Sequence, residues 1–328
     1  MKILSLFDGI GCAHMAALEA NINVDEYYAS EIEDASIKIA ATRIPKYRNI
    51  GDVRFVNGRD YYFVDIITAG SPCQGFSVSG KRKGMTIKSM LVTSLEDYLE
   101  LINDGYTFDL SKGKNQSVLF WEFIRIKKEI DEVRHTIGLQ PVHFLLENVE
   151  MKGSTAMWEG IINDALNCTP VKINSSRALP QNRMRWYWAN FPISIPYDYK
   201  PTIDNIIPDA VTGVGWSGVW NDDHGKYMPT KSIRKDKIAN CITTWEPTDT
   251  MPGRQYYLDI HGKVQHMTIE HLEQLQGYPI GYTKVDGVSD KYRRKAIGNG
   301  WTIPIISHIF ECYKRNTTHL VTNHRLYI

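Results

Sequence analysis

Apolar positions along this chain fall into short blocks, and the blocks alternate between two periods. Lys2–Phe7 is a short apolar run closed by a turn, the pattern of a buried strand. Cys12–Ala20 is rich in alanine and predicts a helix. Tyr27–Glu31 and Phe63–Ala69 read as further strands, Asp34–Arg43 as a second helix, and Gln116–Ile137 as a long amphipathic one. His143–Glu147 is another buried strand, followed by a helix over Thr155–Asn167. Strands alternating with helices predict an α/β fold: an open, largely parallel sheet with helices on both faces.

From Pro192 the pattern stops. Prolines, glycines, tryptophans and short polar runs fill the chain to about residue 266 without a sustained helical period, which predicts a smaller, loop-rich β module. Helical spacing returns at Thr268–Gln276 and Pro304–Lys314, so the last segment is expected to pack back onto the first domain. The expected division is 1–191, 192–266 and 267–328. Lys88–Lys114 reads as an insertion with its own short helix, Leu95–Asn103; loops of that length are uncommon unless functional or mobile.

The 328 residues, 43% of them apolar, suffice for one large domain plus a smaller one. The net charge of +1 means that a nucleic-acid binder of this composition must gather its basic residues on one face. Five cysteines, Cys12, Cys73, Cys168, Cys241 and Cys312, are odd in number and contain no CxxC pair. That argues against a disulfide framework and against a metal cluster, and it fits a reducing cytoplasm. No apolar run approaches the ~18 residues of a membrane span, so a cytoplasmic protein without a membrane partner is expected.

In open parallel sheets ligands bind beyond the carboxyl ends of the strands, and the chemically suggestive residues fall there. The first strand runs into Phe7-Asp8-Gly9-Ile10-Gly11, whose glycines permit a tight turn and close approach of backbone to ligand. Glu31, about 20 residues on, suits a ribose diol; the pair would serve a dinucleotide or S-adenosylmethionine equally, or be a plain turn and a surface glutamate. The strand ending at Ala69 leads into Gly70-Ser71-Pro72-Cys73-Gln74-Gly75. A free cysteine is more often a small buried hydrophobe, yet a Gly/Ser-rich loop at a strand end is where a reactive thiolate is useful; context leaves both open. Glu147-Asn148-Val149 closes another strand, and a glutamate there must be paired, solvated or functional; proton donation is the functional reading, a helix-end charge the plain one. In Gln181-Asn182-Arg183-Met184-Arg185, before Trp186-Tyr187-Trp188, alternation would set Gln181, Arg183 and Arg185 on one face of a strand and the tryptophans on the other. Two arginines on one side need carboxylates or phosphates, unless the strand is a solvated edge.

Taken in order, these pieces resemble the DNA cytosine-C5 methyltransferase family, its small bacterial and phage enzymes and its de novo members. The resemblance runs from residue 7 to 300: Phe7-Asp8-Gly9-Ile10-Gly11, Glu31, Gly51-Asp52-Val53, Gly70-Ser71-Pro72-Cys73-Gln74, Leu119-Phe120-Trp121-Glu122-Phe123, Glu147-Asn148-Val149, Gln181-x-Arg183-x-Arg185, Leu275-Gln276-Gly277-Tyr278-Pro279 and Gly298-Asn299-Gly300. It implies a Rossmann-like, S-adenosylmethionine-dependent methyltransferase sheet with a loop-rich β target-recognition domain. It further implies that Phe7, Asp8, Gly9 and Gly11 line the methionine part of S-adenosylmethionine, Glu31 its ribose, and Ile32, Asp52 and Val53 its adenine. Asn299, Gly300 and Trp301 would close the cofactor site, and Cys73, Glu147, Arg183 and Arg185 would form the cytosine pocket. Two departures stand out: the Lys88–Lys114 insertion, and Cys12 where many members have a small residue.

The implied reaction is covalent: a Cys73 thiolate adds to C6 of a cytosine flipped out of duplex DNA, so that C5 becomes nucleophilic. Glu147 would meet the ring at N3 and Arg185 at O2. Lys81, Arg82 and Lys83, among Gly75, Gly80 and Gly84, would meet phosphates as the Cys73 loop closes. Trp216, Trp220, His224, Lys226, Lys231, Arg234, Lys235, Lys237 and Arg254 would serve target reading. The implied partner is double-stranded DNA, bound by a monomer, in a bacterial or phage-infected cell and with a cognate restriction endonuclease where the enzyme belongs to a restriction-modification system. Two alternatives use the same fold: an RNA (tRNA) cytosine-C5 methyltransferase, and a catalytically dead DNA-binding relative. A nicotinamide-dependent oxidoreductase would need a longer G-x-G-x-x-G run, which is missing after Gly11, and gives no reason for Pro72-Cys73-Gln74.

Overall fold

The computed structural model describes residues 1–73, 75–76, 85–87, 90–106, 116–221, 226–244 and 255–324, with side chains except at 215–231 and 318–324. The Lys81-Arg82-Lys83 run, Gly80, Gly84, His224 and Arg254 lie outside the described residues. So do the side chains of Trp216, Trp220, Lys226 and Lys231.

The chain opens with β1 (Lys2–Leu6), α1 (Cys12–Glu19), β2 (Glu26–Ser30), α2 (Asp34–Arg43), β3 (Tyr47–Asn49) and β4 (Ile66–Gly70). A small hairpin, β5 (Thr86–Ile87) and β6 (Met90–Leu91), precedes α3 (Leu95–Asn103) and α4 (Phe120–Thr136). Then come β7 (His143–Val149), α5 (Met157–Leu166), β8 (Val171–Asn174), β9 (Gln181–Asn182) and β10 (Met184–Ala189). Strands β1, β2, β3, β4, β7, β8 and β10 form one seven-stranded sheet in the order β3-β2-β1-β4-β7-β10-β8. Strands β3 to β7 in that order run parallel, whereas β10 is antiparallel to both neighbours. The sheet is therefore mixed, an arrangement common among large α/β sheets.

Both faces of this sheet are covered, which is why its strands read as near-continuous apolar runs. On one side Leu4, Leu6, Ile67, Phe144 and Leu146 pack with Tyr98 of α3, Phe120 and Phe123 of α4 and Trp158 of α5. On the other, Ile3, Tyr27, Ile66 and Leu145 pack with Ala13 and Ala16 of α1, Ile39 of α2, and Ile305, Ile309 and Phe310. The described part of the insertion belongs to the first core. Val92 and Tyr98 are buried, the Tyr98 hydroxyl donates to Glu122 at 2.5 Å, and α3 begins with a Ser94–Asp97 capping box.

The second sheet holds β11 (Ala210–Asn221), β12 (Lys226–Ile233), β14 (Tyr256–Asp259) and β15 (Val264–His266) in the order β12-β11-β14-β15, all antiparallel. Strand β13 (Ala239–Asn240) pairs with β9 and so ties this module to the first domain. The chain closes with α6 (Ile269–Gln276), α7 (Asp290–Asn299) and α8 (Ile303–His324). Helix α8 packs against α1, and Arg43 donates to the carbonyls of Gly281, Tyr282 and Lys284. Among the described residues no helix is long and apolar enough to cross a membrane.

Helix α7 carries no apolar stripe, which is why periodicity did not predict it. Its buried Arg293 is held by ion pairs to Asp290, Glu270 and Glu273. The expected polar face of Gln181, Arg183 and Arg185 needs correction. The strand breaks at Arg183: β9 turns away to pair with β13, and only Arg185 of the three lies on β10.

Candidate active site

The carboxyl ends of β1, β2, β4 and β7 open onto one cavity of about 450 Å³. Phe7, Asp8, Gly9, Glu31, Ile32, Asp52, Val53, Cys73, Glu147, Arg183, Arg185, Asn299, Gly300 and Trp301 all line it. Gly11 does not. It sits in the left-handed region (φ +80°), and a Cβ there would lie 2.3 Å from Ile44 Cδ1, so its task is to let α1 and α2 close on each other.

At the β1 end, Phe7 also takes a positive φ of 55°, a strained conformation that persists where the surroundings enforce it. Asp8 is buried; the Tyr27 hydroxyl donates to its Oδ1, and its Oδ2 has no partner. Burial pushes this carboxyl up to about 7, against the hydrogen bonds of Ser5 and Tyr27. An unpartnered buried acceptor on a cavity wall is suited to a cationic donor, and the ammonium of S-adenosylmethionine is one. The Glu31 carboxylate accepts from the backbone of Gly9 at 2.7 Å and of Ile32 and Glu33 at 2.8 Å each. Burial raises it despite these amides. Asp52 is engaged by Arg54, whose Nε lies 3.0 Å from both carboxylate oxygens; burial pushes the Asp52 carboxyl up, and Arg54 outweighs it. The residues present fit the cofactor: a polar, acidic rim with an open glycine at its centre, since a Cβ on Gly9 would meet nothing within 4 Å.

At the β4 end, Ser71 and Pro72 lead to Cys73. The buried Asn148 amide donates to the Ser71 carbonyl at 3.3 Å and its hydroxyl at 3.0 Å, so β7 anchors the segment that carries the thiol. The backbone N–H of Phe76 then donates to the Cys73 carbonyl at 2.9 Å. Burial raises the Cys73 thiol; Arg185 opposes this and Glu147 adds to it. At rest the sulfur therefore holds its proton more firmly than a free cysteine.

Glu147 and Arg185 face each other across neighbouring strands, Nε to Oε1 at 2.8 Å. The second carboxylate oxygen, Oε2, accepts from the Trp301 indole at 3.1 Å. Arg183 is used differently. Its guanidinium donates to the carbonyls of Gly300 (2.8 Å), Gly298 (3.3 Å) and Ile242 (3.3 Å), joining the segment after β13 to the end of α7. Among the described residues Arg183 meets no carboxylate and Arg185 none besides Glu147, but both approach the Cys241 sulfur, at 3.6 Å and 3.9 Å. Burial pushes the Cys241 thiol up, yet the two arginines outweigh it and the net direction is down.

The comparisons bear on this arrangement. Residues 1–104 match the family model of C-5 cytosine-specific DNA methylases. The type II methyltransferase M1.ScrFI of Lactococcus lactis subsp. cremoris is 26% identical over 94% of this chain and 77% of its own length. The orphan methyltransferase M.SPBetaI of Bacillus phage SPbeta is 29% identical over 57% of this chain, and the match spans only 44% of the phage protein. Two solved structures share the fold. Entamoeba histolytica methyltransferase EhMeth covers 97% of this chain and 98% of its own, at 16% identity and TM-score 0.63. A Spodoptera frugiperda DNMT2 mutant covers 95% and 98%, at 17% identity and TM-score 0.62.

The similarity is to the C5-cytosine methyltransferase superfamily. The cavity also holds side chains that sequence reasoning passed over. Tyr292 and Lys295 reach it from the unpredicted α7, and Lys295 pairs with Glu33, two residues beyond Glu31. Cys12 lies on its wall, and its thiol is 2.8 Å from the Tyr278 hydroxyl. Burial pushes that thiol up to about 11. In the second module Arg234 is paired with Asp236 and Asn240, whereas Lys235 and Lys237 are exposed.

Proposed function

We propose that this protein methylates C5 of cytosine in a polynucleotide, with S-adenosylmethionine as methyl donor and duplex DNA as substrate. The observation that carries the reading is one cavity in which the Cys73 thiol and the Glu147–Arg185 pair share a wall that continues to the half-partnered Asp8. In this reading Asp8 takes the cofactor's ammonium, Glu31 its ribose, and Ile32, Asp52 and Val53 border its adenine. S-adenosylmethionine, when bound, supplies an activated methyl group. Cys73 gives up its proton and attacks C6 of the flipped base. Glu147 meets N3 and Arg185 meets O2, so charge arriving on the ring finds donors already in place. The C5 proton then leaves and the thiolate is expelled. Residues 192–266 would read the target, with Lys235 and Lys237 on phosphates.

The family model and the type II and orphan relatives support DNA. An RNA substrate is the second reading: the folds matched over nearly their whole length include two DNMT2 chains, from Spodoptera frugiperda and S. pombe, as well as a putative DNA modification methyltransferase, so the fold alone does not choose the polymer. The base-binding wall serves a cytosine from either polymer, and a base in an RNA loop is unstacked at less cost. The deciding experiment offers 5-fluorocytosine in duplex DNA and in tRNA, each with S-adenosylmethionine, and maps the adduct by mass spectrometry. A DNA adduct on the Cys73 peptide is expected. An adduct with tRNA alone transfers the reading to RNA, and none with either polymer ends it.

A further inference from the structure

Glu147 needs a fixed carboxyl plane to meet a ring edge, and a glutamate carboxyl rotates broadly about its last bond. Arg185 holds one oxygen only. The other accepts from the Trp301 indole, a residue that borders the cofactor side of the cavity, and Trp301 is itself buried. The sequence makes room for this bond. Gly70 on β4 stands in register with Glu147 on β7, so a side chain at position 70 would project on the same face as the carboxyl. The indole nitrogen lies 2.9 Å from where that Cβ would be. The backbone of Trp301 is fixed as well: its N–H points to the Cys12 sulfur at 3.4 Å, and its carbonyl accepts from the Tyr278 hydroxyl at 3.4 Å.

We propose that Trp301 is a positioning residue for Glu147, its indole N–H setting the carboxyl's orientation through the gap left by Gly70. The bond joins the cofactor side of the cavity to the base side. Removing it frees the carboxyl to pivot about its contact with Arg185.

This inference rests on Glu147 being the group that meets the base, so its test has one arm that needs no turnover. In protein labelled with ¹⁵N-tryptophan, the Trp301 indole resonance is assigned from Trp301→Phe and compared between the wild type and Glu147→Ala. Its proton should lie downfield in the wild type and move upfield in Glu147→Ala, which removes the acceptor. A resonance unmoved by Glu147→Ala overturns the proposal whether or not the chain methylates anything. In the kinetic arm, Trp301→Phe should lower kcat about tenfold, the scale of one hydrogen bond to a charged group. KM for S-adenosylmethionine should change little. Gly70→Ala, which crowds the indole without removing it, should lower kcat in the same way. A raised KM with unchanged kcat would make Trp301 a cofactor wall only.

Discussion

Arg183 and Arg185 stand two residues apart and line one cavity, yet their partners predict opposite consequences when each is replaced by methionine. Arg183 gives its donors to backbone carbonyls, and among the described residues it makes no ion pair. In Arg183→Met the Gly298 carbonyl loses both contacts to the guanidinium, and the Ile242 carbonyl keeps only a long contact from the Cys241 thiol at 3.5 Å. The Gly300 carbonyl retains the Gln276 amide at 3.0 Å. Two carbonyls deprived of the guanidinium, at about 1–3 kcal/mol each, set a loss of roughly 2–6 kcal/mol, since methionine restores volume without donors. For a chain of this size that corresponds to roughly 3–9 °C in melting temperature. Arg185→Met removes a partner of Glu147 at the edge of a cavity that water can enter; its stability should fall less, and methylation at least about a hundredfold. Urea unfolding and methylation are measured on the same preparations. If Arg183→Met unfolds at the wild-type midpoint but does not methylate, Arg183 acts on the base, and the division of labour is wrong.

Asp8 gives a pH dependence with a definite sign. Its carboxyl is raised to about 7, so it becomes an anion only as pH passes through neutrality; calorimetric affinity for S-adenosylhomocysteine should strengthen from pH 6 to pH 8, and Asp8→Asn should flatten the curve. Glu147 pushes the Cys73 thiol up and Arg185 pulls it down; at a fixed pH, iodoacetamide labelling of the Cys73 peptide should therefore quicken in Glu147→Gln and slow in Arg185→Met, and the reverse order would refute the electrostatics. Gly298 has no room for a side chain, because a Cβ would lie 2.7 Å from the Thr243 carbonyl carbon and 2.8 Å from its oxygen. Backbone cannot move aside cheaply, so Gly298→Ala should cost about 1–3 kcal/mol in urea unfolding; an unchanged midpoint would contradict the packing.

The strands and helices with a strong apolar period were legible in the sequence, because both faces of the central sheet are buried and leave a hydrophobic signature. Helix α2 was read to its ends, Asp34–Arg43. Helix α7 was not legible: ion pairs hold its buried arginine, and two of the three partners, Glu270 and Glu273, lie on α6. The reversal of β10 also escaped, since the same apolar run suits either direction. At the site, residue types at strand ends pointed to the cavity, but spacing could not give partners. Period-2 reasoning put Arg183 and Arg185 side by side, whereas the break before Met184 sends one to the segment after β13 and leaves the other opposite Glu147. Asn148 was legible only as part of a motif; its anchoring of Ser71 needed the register between β4 and β7.

The charges around the base-binding wall explain how a thiol with raised proton affinity can serve as nucleophile. At rest the wall holds two arginine cations, the Glu147 carboxylate and the protonated Cys73. In the proposed reaction it must hold the same cations with a protonated Glu147 and a Cys73 thiolate. The two states carry equal net charge and differ only in which group has the proton. Changing the net charge of a largely buried wall is expensive, whereas redistributing it is much cheaper. Each group also favours the other's conversion, because the Glu147 charge is one of the causes that raise Cys73. A base whose N3 draws a proton from Glu147 recruits a donor that Trp301 and Arg185 have already oriented. Bringing the base to the wall, more than raising the pH, then arms the thiol. Adduct formation in the closed complex should therefore depend less on pH than alkylation of Cys73 by a neutral reagent in the free protein. Equal pH slopes in the two assays would mean that the thiol loses its proton to solvent and that the carboxyl plays no part in its activation.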